Sequence, residues 1–153
     1  MISQHLPRWI FASITSHFAT AATTAGLQAF VEGEVKQDYD ADHLEIRVNG
    51  PFLSEVSKGV WRVESGVSIF ASAAMNDTNF HRIHEMVGII AASYTDIGIL
   101  RLGPVTDPVI NDGSLVGCLK CGPIKIQHFG QLSPVRQLMR ATIDAEYFGL
   151  LTE

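Results

Sequence analysis

Apolar side chains recur at two distinct periods along this chain, and the two periods divide it into helices and strands. Leu6, Ile10, Ile14 and Phe18 fall on every fourth position and Ala22 continues the stripe, which predicts a helix over 6–25. Pro7 suits its first turn and Gly26 its end. Ser13, Thr15, Ser16 and Thr20 lower the intrinsic propensity, so this helix needs packing to form. A second stripe, Phe80, Ile83, Val87, Ile90 and Tyr94, predicts a helix over 79–94 after the cap-rich run Asn76-Asp77-Thr78-Asn79. Its second half, Val87-Gly88-Ile89-Ile90-Ala91-Ala92, is apolar nearly all round and calls for cover on more than one side, such as from another subunit.

Elsewhere the period is two. Leu44, Ile46 and Val48 alternate with Glu45, Arg47 and Asn49, so 43–49 is a strand that Asn49-Gly50-Pro51 breaks. Trp61, Val63, Val67, Ile69 and Ala71 share one face of a strand over 60–72, with Ser65 the only interruption. Short strands are expected over 28–34, 97–102 and 124–129. The stretch 139–147 fits a strand without a violation, whereas Thr142 and Glu146 spoil it as a helix. The stretch 103–117 carries Pro104, Pro108 and Gly113 and reads as a long loop of functional or interface character. The order predicts a single α+β domain over 1–153, with two main helices packed on a mostly antiparallel β-sheet. Its expected sheet core is Leu44, Ile46, Trp61, Val63, Val67, Ile69, Met139, Ile143 and Tyr147.

Composition narrows the function classes. The 153 residues suit one domain, and 46% hydrophobic against 18% charged is a globular balance. Eleven Lys and Arg stand against sixteen Asp and Glu, a formal charge of −5. That balance argues against a non-specific grip on nucleic acid or on an anionic membrane. The acids crowd into 32–45, including Asp38, Asp40 and Asp42. Such a run is either a solvated hairpin or an anionic surface that repels nucleic acid, such as a channel wall. No signal-peptide pattern or apolar run of membrane-spanning length occurs, so a soluble, unprocessed chain is expected.

The chemistry-bearing candidates are few. Cys118 and Cys121 form a CxxC, but Gly122-Pro123 and then a strand follow it, with no helix N-terminus to lower a thiol pKa. They read as two small, mostly buried hydrophobes. His81 and His84 could join them around zinc, although H-x₂-H departs from the usual spacing. His128, with Asp144 or Glu146 to orient it, could act as a general base. No nucleophile elbow, H-E-x-x-H or phosphate loop is present. Neither a catalytic set, a metal site nor a cofactor is therefore expected.

The succession of local motifs resembles a known family. It comprises Arg8-Trp9-Ile10-Phe11-Ala12-Ser13, Phe30-Val31-Glu32-Gly33, Arg47-Val48-Asn49-Gly50-Pro51 and Ser57-Lys58-Gly59-Val60-Trp61-Arg62, then Arg82-Ile83-His84-Glu85-Met86-Val87-Gly88-Ile89 and Ile126-Gln127-His128-Phe129-Gly130-Gln131. Together they resemble the tail terminator, or tail-to-head joining, proteins of tailed bacteriophages. The resemblance implies a small α+β subunit that assembles as a ring, commonly a hexamer. Such a ring caps the tail tube protein and meets the head–tail connector or stopper, and genomic DNA passes through its lumen without specific binding. The location implied is the virion tail or neck, after synthesis in the host cytoplasm. The family has no catalytic residues to carry over. Within a ring, Val105, Val109, Ile110, Leu115, Val116 and Ile89 are expected at the subunit interface, and Asp38, Asp40 and Asp42 at an acidic lumen or rim. The alternatives are another connector, stopper or tail-tube ring subunit, or a small thiol or metal enzyme built on Cys118, Cys121, His81 and His84.

Overall fold

The structure is a computed structural model that describes residues 4–32, 42–74, 81–103, 109–131 and 138–153. Helix α1 (Leu6–Thr24) comes first, followed by strands β1 (Gln28–Val31), β2 (His43–Ser57) and β3 (Val60–Ala74). Helix α2 (Arg82–Ala91) and strands β4 (Ile97–Leu100), β5 (Leu115–Cys121), β6 (Lys125–Gln131) and β7 (Leu138–Thr152) complete the fold. The sheet order is β1-β2-β3-β7-β5-β4, and β6 pairs with β7 beside β5. All pairs among the described residues are antiparallel except β1 with β2, which is parallel.

The expected balance of two main helices on a sheet is overturned. The structure is mostly sheet, 53% strand against 24% helix, and its two helices lie on a strongly curled half-barrel. The reason lies in strand length. β2, β3 and β7 are each fifteen residues long. β2 does not stop at Asn49-Gly50-Pro51: Gly50 takes φ +93° at a bulge between Asn49 and Phe52, and the pairing with β3 resumes beyond it. β7 runs past Tyr147 to Thr152, paired with β3 along its whole length. α2 is correspondingly shorter than the stripe over 79–94 suggested, and positions 79 and 80 lie outside the described residues.

The sheet curls because α1 sits inside it. α1 contacts β1 and β2 at one end of the strand order and β4 at the other, which a flat sheet could not achieve. Leu6, Ile10, Ile14, Phe18 and Ala22 are fully buried in that concavity. Three of its hydroxyls bond back to its own carbonyls: Thr15 Oγ1 donates to Phe11 O (2.8 Å), Thr23 Oγ1 to Ala19 O and Thr24 Oγ1 to Thr20 O (each 2.9 Å). α2 lies on the same side, over β3 and β7, and buries Ile83, Met86, Val87 and Ile90.

The expected sheet core is observed. Leu44, Ile46, Trp61, Val63, Val67, Ile69, Ile143 and Tyr147 are buried, and Met139 packs half-buried against them. Ser65, the one polar residue on the inner face of β3, donates its hydroxyl to Asn49 O at 3.1 Å.

Candidate assembly surface

The cysteines and histidines do not meet. Cys118 and Cys121 lie on β5, where side chains three apart face opposite ways. Cys121 turns to the core, but Cys118 stands across from Leu150 on the outer face and is exposed. That corrects the expectation of two mostly buried thiols, because the β5 register places Cys118 on the convex side. His84 instead faces His128 of β6, with ring centroids 4.5 Å apart. His128 pairs in register with Ala141, on the helix side, whereas Asp144 and Glu146 alternate with the inward Ile143 and Ala145. The carboxylates that could orient His128 are therefore on the opposite face of the sheet. Among the described residues, no three His, Cys, Asp or Glu side chains gather as a metal ion requires.

Two tyrosines tie α2 and its exit to the sheet. Tyr94 Oη donates to Ile143 O (2.7 Å) and Val67 O (3.2 Å), and Tyr147 Oη to Thr95 O (3.0 Å). Burial, reinforced by the charge of Asp144, raises the Tyr94 pKa well above the ordinary phenol value. Burial, with a hydrogen-bonding interaction of the phenol O–H toward the Cys121 side chain, does the same for Tyr147. Both phenols belong to the core and offer no reactive group to solvent.

The part of the 103–117 stretch that is described folds onto its own domain. Asn111 Oδ1 accepts from Arg8 (2.9 Å) and from Trp9 Nε1 (3.0 Å) on α1. The Arg101 guanidinium lies 5.6 Å from the Trp9 ring centroid. Ile110 packs half-buried against the core and Val116 is buried in it. Of the residues expected at an interface, Val109, Leu115 and Ile89 remain on the surface, Val109 at 85% exposure. Val105 lies outside the described residues, as do Asp38 and Asp40. Asp42 is engaged locally: its carboxylate accepts from Ala74 N–H and from Arg82 Nε, each at 2.8 Å. It anchors the end of β3 to the start of α2.

Among the described residues, a group of exposed apolar side chains lies elsewhere, on the convex face of the sheet. Phe52 and Val56 of β2 are 71% and 60% exposed, and Phe148 and Leu150 of β7 are 48% and 56% exposed. The β3 strand places Arg62 opposite Leu150 and Glu64 opposite Phe148, between the two apolar pairs. Val56, Arg62, Glu64, Phe148 and Leu150 line an open depression of about 710 Å³ with Glu146 at one side, and Phe52 lies beyond it on the far side of Glu64. Periodicity within 139–147 did not reveal this surface. The continuous run Tyr147-Phe148-Gly149-Leu150-Leu151 could have, since a strand apolar on both faces is one that both faces cover.

No family model and no curated protein matches the sequence significantly. Solved structures do match in fold. One of them covers 97% of this chain and 96% of its own, with a TM-score of 0.57 and 12% sequence identity. At that identity the likeness extends to the fold alone. No helix among the described residues is long and apolar enough to cross a membrane.

Proposed function

We propose that this chain is a structural subunit that assembles as a ring at the head-proximal end of a bacteriophage tail, where it ends tube growth and meets the head connector. The observation that carries the reading is the set of exposed apolar side chains on regular strands, Phe52, Val56, Phe148 and Leu150. Monomeric proteins rarely leave contiguous apolar surface of this kind uncovered, and rigid strands hold these side chains in a fixed array that suits a repeated contact. The partners in this reading are further copies of the chain, the tail tube protein and a connector or stopper protein. DNA passes through without specific contacts, in keeping with the net charge of −5.

The test is the solution mass of the purified chain over a wide concentration range, together with negative-stain images in the presence and absence of tail tubes. Closed rings that cap tube ends are expected. A chain that stays monomeric at high concentration and neither binds nor caps tubes would overturn the reading.

A further inference from the structure

We infer that β6 of one subunit pairs edge to edge with the Phe52–Ser57 segment of β2 in the next copy, so that the sheet continues from subunit to subunit. This inference rests on the ring reading and specifies its contact. The sheet margins differ in how they are closed. β4 is blocked by α1, because Ser13 Oγ accepts from Leu100 N–H (2.9 Å) and donates to Leu100 O (3.3 Å). β1 covers β2 only from His43 to Ile46. Beyond that, among the described residues, the outer edge of β2 has no strand beside it, and neither has the outer edge of β6. An unpaired strand edge presents a row of backbone donors and acceptors and acts as a template for another strand.

The occupant that fits is a second copy of this chain. The two bare edges lie on opposite margins of the sheet and at opposite ends of it: β6 flanks β7 at 139–144, while distal β2 flanks β3 at 60–64. One chain thus carries both halves of a head-to-tail contact, the kind that closes into a ring. Strand direction agrees. β6 is antiparallel to β7, β7 to β3, and β3 to β2, so β6 runs opposite to β2. A neighbouring β2 set beside β6 in the same sense continues the antiparallel order. Pro51, which lacks the N–H a ladder needs, stands just before the proposed segment and not within it. The faces agree as well: Phe52 and Ser54 of β2 pair with the outward Glu64 and Arg62, and Lys125 and Gln127 of β6 with the outward Asp144 and Thr142, so both edges turn exposed side chains to the same convex side.

Disulfide trapping tests the contact in a Cys118→Ser/Cys121→Ala background whose fold and mass match those of the wild-type chain. Ser54→Cys and Gln127→Cys, both exposed on the convex side, are made separately, mixed and oxidised. A disulfide-linked dimer is expected in the mixture and not in either variant alone, and the double variant should give a ladder up to the full ring. Rings that form without the mixed disulfide would overturn the strand pairing and leave the ring reading intact. Dimers from Gln127→Cys alone would also overturn it, by showing a symmetric β6 contact. A wild-type chain that never assembles would overturn both.

Discussion

The two faces of the curled sheet carry comparable apolar residues with opposite fates. On the concave side, Phe18, Ile143 and Tyr147 are sealed between the strands and α1 or α2. On the convex side, Phe148 and Leu150, their neighbours along β7, stand half exposed beside charged Arg62 and Glu64. The same strand therefore builds the core with one set of alternate residues and leaves the other set at the surface. Substitutions on the inner set should act on folding, and substitutions on the outer set on association.

The largest expected effect breaks the inner side. Phe18→Ala removes a fully buried ring that packs edge-on and tilted against Tyr147 and Tyr94. It should cost about 3–5 kcal/mol, read as a shift in the urea midpoint at unchanged slope. A loss below about 1 kcal/mol would show that α1 is not the centre of the fold.

Next in size are the buried phenols. Tyr94→Phe leaves two buried carbonyls, Val67 O and Ile143 O, without their shared side-chain donor and should cost about 1–3 kcal/mol. The same groups set an alkaline limit. Their folded pKa values are raised, so the unfolded chain ionises first, near pH ~10, while the folded chain keeps both protons. Their contribution is complete below that pH and is lost as the pH climbs toward the folded values. Denaturant melts should lose stability above roughly pH 10, and phenolate absorbance should rise together with unfolding. Titration of both tyrosines in a chain that remains folded would contradict their burial.

A smaller effect on folding, with a larger one on association, is expected outside. Phe148→Ser with Leu150→Ser should change stability by about 0.5 kcal/mol or less per site, as surface substitutions usually do, while reducing self-association in sedimentation velocity. Equal loss of stability from the outer pair and from Phe18 would erase the distinction between the faces.

How much of this was legible depends on whether a residue obeys a local period. The α1 stripe and the alternation of β3 and β7 located most of the core, because one covered face leaves a regular mark on the sequence. The length of β2 was hidden by Gly50-Pro51, which reads as a stop but sits at an edge bulge that the pairing with β3 spans. The curl was hidden because it depends on α1 touching both ends of the strand order, a property of no single segment. The proposed contact was hidden for the same reason. Phe52 and Ile126 are far apart in sequence, and only the topology shows that each lies on an uncovered edge. Asn111 gave no signal either. Its value comes from the Arg8 and Trp9 groups that converge on one oxygen from another element.

The smallest expected effect gives the finest probe of the comparison, because β5 carries one thiol on each side. Cys118 is exposed on the convex face, opposite Leu150, and Cys121 turns inward beside Tyr147. Cys118→Ser should leave stability within about 0.5 kcal/mol of wild type, since the residue fills no cavity. Alkylation kinetics then separate the faces. In the dissociated chain, Cys118 should react much faster than Cys121, whose access follows the opening of the core. On assembly, a convex face covered by neighbouring copies or by the tail tube should slow Cys118 and leave Cys121 as slow as before. If the neighbours meet only at the strand edges, Cys118 should keep its rate while the mass rises. Peptide mass spectrometry at graded protein concentration reads both thiols in one sample. A Cys118 rate that never falls as the ring forms would therefore restrict the contact to β6 and distal β2, and leave the Phe148 and Leu150 surface to a different partner.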